Sequence, residues 1–452
     1  MMEKDLTHGS TLKLIISFCI PLIGGAIFQQ LYNNVDSIIV GRFVGVDALA
    51  AVGSTGSLNF LIIGFALGLT AGCGIPIAQA FGARNEKLML QNIANAIYVC
   101  LVFSIILTIG TYFLTDDFLH MMNTPSNIYQ DAYDYIFVVF MGITCTIAYN
   151  ILASILRALG DSKTPLVFLG FSSVINIILD FILIVNFKMG VSGAAYATVI
   201  AQGLSALFCL IYMKKKYPIL TFNEETLQVN AKIIKKQLNI AVPMALQYSI
   251  TAVGTVILQT AVNGLGSNKV AAITAAQKIQ MFFTQPMDMI GSTMATFCGQ
   301  NLGARKAKRI YVGLKQALGL TLGYSLIALG INVFFGKYLL LLFVSGKEVA
   351  IIRSAIQFLT TNGIFYFTLS ILFLTRNALQ GLGYSALTML AGLAELIGRT
   401  IIAVFLVGIF GFNAICYANP LAWICADLIL IPTILIKIKG LKNDTTLDQI
   451  HL

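Results

Sequence analysis

Residues 21–53 read PLIGGAIFQQLYNNVDSIIVGRFVGVDALAAVG. The stretch opens inside an apolar run long enough to cross a bilayer, yet it carries Gln29, Gln30, Asn33, Asn34 and Asp36. A carboxylate at membrane depth costs on the order of 3 kcal/mol on insertion scales, so one kept there points to a function. Pro21, roughly four helical turns before Asp36, removes a backbone donor and invites a bend. A bendable helix with a buried titratable group reads as the moving part of an ion-coupled machine. The plainer alternative is an Asp at the membrane surface that caps the next segment.

The rest of the chain is of the same kind. Of its 452 residues, 58% are hydrophobic and 11% charged, against roughly a quarter charged in soluble domains. One soluble core cannot hide that much apolar surface, so the composition predicts a multi-pass, all-α membrane protein. The net charge of +10 is not a nucleic-acid signal, because the Lys and Arg cluster in short loops between apolar runs. The first apolar run lacks a small-residue cleavage site, so no cleavable signal peptide is expected. The eight Cys lie in apolar runs without a CxxC pair, and the three His fall in termini or a loop. Neither set suggests a disulfide framework, a zinc site or a histidine relay.

Twelve apolar segments are expected as spans: 12–40, 48–76, 89–114, 132–158, 165–187, 191–213, 236–263, 270–298, 311–335, 351–379, 386–408 and 413–437. One set of loops holds most of the Lys and Arg, counting Arg157 and Arg376 among them. The positive-inside rule then places both termini and the 214–235 connection in the cytoplasm of a plasma membrane, in a bacterium the inner one.

The two halves repeat. AQAFGARNEK at 78–87 aligns with GQNLGARKAK at 299–308. The same offset pairs Gly190 with Gly411 and Tyr196-Ala197 with Tyr417-Ala418, and Pro21 pairs with Pro243 one residue out of step. RALGDS at 157–162 echoes QGLGYS at 380–385. The expected domains are a six-helix bundle over 1–213, a linker over 214–235 and a second bundle over 236–452. Even-numbered bundles enter the membrane the same way up, as parallel repeats around a central cleft, which suits alternating access.

Polar residues at membrane depth concentrate in the first half: Asp36 in span 1, Asn150 in span 4, Asn176 and Asp180 in span 5, Thr198 in span 6. Asn176 and Asp180 are four apart and share a helix face. At about 1.5 Å per residue, Asp36, Asp180 and Thr198 reach similar depth in the outer part of one bundle, with Asn176 and Asn150 successively lower. Two carboxylates with amide and hydroxyl oxygens suit a proton or a hard cation such as Na⁺. Isolated helix–helix hydrogen bonds are the alternative for the Asn and Thr. In the second half Glu395 and Arg399 are spaced to pair on one face, Lys278 to snorkel outward, and Asp288 and Asp427 stay open. No phosphate cradle, nucleophile elbow, HExxH helix or acid pair of a glycosidase is present, so no enzyme is expected.

The motifs P…LY…VD…IVGR.VG..ALAAVG, AQ.FGA with its partner GQNLGA, RALGDSKTP, and N..LD…G.SGAAYAT together resemble the multidrug and toxic compound extrusion (MATE) family over nearly the whole chain. The resemblance implies export of organic cations or other amphipathic compounds, driven by influx of H⁺ or Na⁺, with no other cofactor. In DinF-like and archaeal members the N-terminal cation site maps onto Asp36, Asn150, Asn176, Asp180 and Thr198, and the proline tied to helix bending onto Pro21. In NorM-like members acids of helices 7 and 10 form a C-terminal site; this chain offers Gln247, Gln259, Gln357 and Asn362 instead, which puts such a site in doubt. Phe28, Tyr32, Tyr149, Met281 and Phe282 are candidates for an apolar substrate wall. The expected partners are small amphipathic substrates and the bilayer, with no nucleic acid, and the chain is expected to be monomeric. Lipid-linked oligosaccharide flippases of the same superfamily, and a membrane sensor without transport, are the competing readings.

Overall fold

Lipid offers a peptide group no hydrogen-bond partner, so long apolar runs close into helices. The computed structural model describes residues 5–122, 124–344 and 346–443, with the side chains of Tyr32, Asn33, Asn34, Val46, Lys442 and Asn443 outside that set. The described chain is helical: α1 (Thr11–Phe43), α2 (Val46–Ser54), α3 (Gly56–Gly82), α4 (Glu86–Met121), α5 (Tyr129–Met141), α6 (Ile143–Ala158) and α7 (Lys163–Asp180). A π-helical turn, Phe181–Asn186, extends α7, and α8 (Gly190–Lys216) and the short α9 (Glu224–Leu227) follow. Then come α10 (Ala231–Asn263), α11 (Ser267–Gly303), α12 (Ala307–Leu340), α13 (Val349–Ile364), α14 (Tyr366–Gly381) and α15 (Ser385–Ile401). A second π turn, Ile402–Leu406, leads to α16 (Val407–Phe410) and α17 (Phe412–Asn443).

Among the described residues nine helices are long and apolar enough to cross a membrane, and up to eleven spans result when each bent pair counts as one. The bent pairs are α5 with α6, at 47°, and α13 with α14, at 52°. The remaining expected span, 270–298, falls in α11. That helix has the length, with 37 residues, but carries Lys278, Gln280, Gln285 and Asp288. It packs against α12, α13 and α14, and an enclosed helix needs no lipid-facing apolar coat. The expected span 48–76 is interrupted at Thr55, between α2 and α3. Lipid-facing surface is plain elsewhere: Ile105, Ile109 and Phe113 of α4 and Phe334 and Tyr338 of α12 are all more than half exposed.

The repeat is written in the backbone. Both α1 and α10 have 33 residues and an internal proline, Pro21 or Pro243. α3 and α11 end at Gly82 and Gly303, and the chain then turns through a left-handed arginine, Arg84 at φ 55° and Arg305 at φ 57°. A side chain in that region is strained by about 1–2 kcal/mol, and the strain recurs at the same place in both halves. Gly45 and Gly266, then Gly190 and Gly411, repeat a positive φ that glycine tolerates. The two bent pairs and the two π turns recur in register as well.

The described chain forms two compact units that do not divide at the 214–235 connection. One comprises Met1–Asp5 and Ile20–Ser249, the other Leu6–Cys19 and Ile250–Leu452. Each unit therefore includes the first part of the helix that opens the other half, and membership changes beside Pro21 in α1 and a few residues past Pro243 in α10. Polar clasps hold these exchanged segments. In the second unit Gln300 accepts from the Leu6 amide at 3.0 Å, and Arg309 donates to the Gly9 carbonyl at 2.8 Å. In the first, the Asn230 amide donates to Asn95 at 2.9 Å, and Gln237 donates to the Asn92 carbonyl at 2.7 Å.

The turn before α7 fixes the helix that carries the deepest acid. Asp161 accepts from the backbone amides of Lys163 and Thr164, both at 3.0 Å, from the Thr164 hydroxyl at 2.6 Å and from the Tyr217 hydroxyl at the end of α8. Burial pushes this carboxyl up, but the Thr164 and Tyr217 bonds and the Lys216 ammonium together outweigh it and hold Asp161 below the ordinary carboxylate range. A depressed acid stabilises the fold above its unfolded value and loses that contribution as pH falls through the folded one. Asp161→Asn is therefore expected to cost about 2 kcal/mol near neutrality. Thermal unfolding in detergent checks this: the gap to wild type should narrow as the pH falls below the ordinary aspartate range and through the depressed folded value.

Candidate cation site

In the first unit α1 brings Asp36 to within about two turns of its end. The last α-helical residue of α7 is Asp180, and the π turn starts directly after it. A π turn rotates the following side chains out of α register and is frequent at functional sites. Asp180 is fully buried and Asn176 is 1% exposed. The Asn176 amide donates to the Thr198 hydroxyl of α8 at 3.2 Å. The carboxyl groups of Asp36 and Asp180 act directly on each other.

Four acceptor oxygens here are buried and receive no hydrogen bond from the described residues: both of Asp180, Oδ1 of Asp36 and Oδ1 of Asn176. Unsatisfied buried acceptors are costly, and two facing carboxylates cannot both stay ionised unless positive charge joins them. The arrangement has the chemistry to take up one positive charge. Its donors are all oxygens, which fits a proton shared by the pair or a hard monovalent cation.

Asn150 bonds differently. Its amide donates to the Thr146 carbonyl of its own helix at 2.8 Å. The Thr146 hydroxyl in turn donates to the Gln202 side chain of α8. Thr146 and Gln202 extend the polar column below Thr198, and sequence reasoning did not single them out. The available signal was spacing, since Gln202 follows Thr198 by one turn and Thr146 precedes Asn150 by one turn.

Pro21 is buried, and α1 runs through it as one helix. Phe28 is 39% exposed on α1, and Met281 44% exposed on α11. Phe282 is half-buried. Tyr149 donates its hydroxyl to the Pro165 carbonyl at 2.9 Å, which ties α6 to α7. The side chain of Tyr32 lies outside the described residues. Phe28 and Tyr149 belong to the first unit, Met281 and Phe282 to the second.

The second unit holds a different polar cluster. Glu395 and Arg399 do pair, with Nη2 to Oε2 at 3.3 Å. A second guanidinium, from Arg376, closes on the other oxygen of Glu395. Arg376 is therefore not a loop charge: it sits inside α14 and is 8% exposed. It follows the apolar run ILFL and lies between Thr375 and Asn377, and a buried guanidinium at membrane depth calls for a carboxylate partner. The positions that repeat Asp36 and Asp180 in this half are hydrophobic, near Ile257 and at Ile401.

The MatE family model matches residues 21–182 and again residues 243–406, once per repeat. The chain belongs to the MatE family. It is 30% identical over 387 residues to the probable multidrug resistance protein YpnP of Bacillus subtilis, covering 85% of each chain. It is also 22% identical over 462 residues to the multidrug export protein MepA of Staphylococcus saprophyticus, covering 100% of this chain and 99% of that one. A solved multidrug resistance MATE transporter in an outward-facing conformation superposes with a TM-score of 0.91 at 23% identity, over 98% of this chain and 99% of that one. A MATE structure in a bent conformation superposes at 0.89, also at 23% identity, with the same coverage of both chains. The fold is that of a MATE transporter, an all-helical protein of many membrane spans.

Proposed function

We infer that this MATE protein is a secondary active multidrug efflux transporter, which exports amphipathic and mostly cationic compounds against influx of H⁺ or Na⁺. The buried Asp36–Asp180 pair with its unsatisfied oxygens carries this reading. With the pair ionised, the first unit accepts a cationic substrate. A proton or Na⁺ arriving from outside neutralises the pair and favours the state that releases the substrate outward. A ligand shifts two access states only by its differential affinity for them, and a buried charge pair provides a large difference. One charge moving down about 150 mV supplies roughly 3.5 kcal/mol, enough for a gradient of several hundred-fold in a neutral solute.

Pro21 is the hinge in this reading. It gives the Ser17 carbonyl, four residues back, no amide donor. The boundary between the two compact units in α1, between Cys19 and Ile20, falls directly before it. Related MATE structures exist in both bent and straight conformations. The site residues favour the DinF-like pattern over one with acids in the seventh and tenth membrane spans, 236–263 and 351–379. Both termini are assigned to the cytoplasmic face of the plasma membrane by the loop charges, which keep their bias with Arg376 removed from the count.

The test is efflux of a fluorescent organic cation from liposomes carrying the purified protein, with a pH gradient and a Na⁺ gradient imposed separately. Efflux that follows one of the two gradients supports the function and names the ion. Flux that follows neither, for a panel of cations, overturns it.

A further inference from the structure

Five ionisable side chains gather in the second unit: Asp288 of α11, Arg376 of α14, Glu395 and Arg399 of α15, and Asp427 of α17. Four of them are no more than 8% exposed, and Asp288 is half-buried. Glu395 is clamped between both guanidiniums. Arg376 also acts on Asp288 and on Asp427. The two oxygens of Asp427 are buried and accept no hydrogen bond from the described residues, and Nη1 of Arg399 donates none.

Counting charge identifies what is missing. Two cations face three acids, so full ionisation leaves one uncompensated negative charge in a cluster whose members, Asp288 apart, are buried. A buried charge without a partner is neutralised rather than tolerated. Glu395 is the acid that both guanidiniums touch, one on each oxygen, so the missing charge falls on the aspartates. Of the two aspartates, Asp288 keeps partial exposure, whereas Asp427 is 5% exposed and has no donor.

We propose that Asp427 is a proton-binding site of the second unit, separate from the Asp36–Asp180 pair, that takes up and releases one proton exchanged with solvent. A metal cation fits less well, because among the described residues no group of three or more His, Cys, Asp or Glu could hold one, and the Arg376 guanidinium already acts on Asp427. Of the charged groups on helices packed against α17, Arg376 of α14 acts directly on Asp427, and Glu395 and Arg399 of α15 complete the cluster. The π turn and α16 contain no ionisable residue. Helices α12 and α13 add no charge to the cluster among the described residues. The proposal stands apart from the coupling role of the first unit.

The chain supplies its own reporter. Its single tryptophan, Trp423, lies one helical turn before Asp427 on α17 and is 5% exposed. Residues four apart share a face, so the charge on Asp427 acts on the indole. We would titrate the fluorescence of the purified full chain between pH 5 and 9. Wild type and the Asp36→Asn/Asp180→Asn double variant should show the same one-proton transition. Asp427→Asn should abolish it, and Asp427→Glu should keep it with the midpoint displaced. Should Asp427→Asn fail to fold, the Asp427→Glu midpoint decides alone, and an unmoved one overturns the proposal. A flat wild-type curve also overturns it, as does a transition that persists in Asp427→Asn. So does a transition lost with Asp288→Asn while Asp427→Asn retains it, or one lost with the double variant.

Discussion

Asp180→Asn should collapse the steady-state gradient of a fluorescent cation from several hundred-fold to about one, because an asparagine binds no exchangeable charge and so gives the two access states no differential affinity for the ion. The protein should still fold, since asparagine matches the volume of Asp180 and its amide can donate to the acceptor oxygens left unsatisfied around it. Asp36→Asn should have the same effect. The double variant should be no worse than either single one, since residues that hold one ion together act as a unit and their losses do not add. Downhill leak of substrate can survive in all three, so the decisive measurement is accumulation against a gradient. If both single variants still accumulate substrate, the pair is not the coupling site, and the acids of the second unit become the place to look.

The site and the fold differ in how openly the sequence displays them. Spans are set by length and apolarity, which are properties of consecutive residues, and so their positions could be read directly. The repeat was legible through glycines and prolines, because a positive φ or a missing amide restricts which residue can stand at a position. Asp36 and Asp180 were legible because acids at membrane depth are rare, and depth follows from rise per residue. Arg376 was misread, since a single arginine between Thr375 and Asn377 near a helix end looks like a loop charge until Glu395 is found beside it. The exchanged segments 6–19 and 231–249 were also hidden. Their docking rests on contacts far apart in sequence, such as Gln300 with Leu6 and Asn95 with Asn230. Polarity that is shared between helices, as in the column of Thr146 and Gln202, becomes visible only when the helices are placed side by side.

A large stability effect is expected at Gly72. It lies on α3, where a Cβ would come within 2.4 Å of the Cα of Ala241 on α10. One turn earlier, a Cβ on Gly68 would lie 2.6 Å from the Met244 carbonyl oxygen and 2.7 Å from the Cα of Ala245. Two glycines four apart thus let two backbones touch, the packing by which helices associate where apolar burial gives no net drive. The obstacle at each position is main chain, which cannot turn aside as a long side chain does. Gly72→Ala should therefore destabilise the first unit by about 1–3 kcal/mol, and Gly72→Val by more. Gly110→Ala is the control: it is also inside a helix, and a methyl there would meet nothing within 4 Å. The better helix propensity of alanine should make that change neutral or stabilising by up to about 1 kcal/mol. Thermal unfolding of the three variants in one detergent separates close packing from a general intolerance of glycine replacement. The contact also bears on transport, because it fastens residues 231–249, the exchanged first part of α10, to the unit that carries Asp36 and Asp180. Equal unfolding temperatures for Gly72→Ala and Gly110→Ala would mean that this part of α10 is not held by the glycine face of α3.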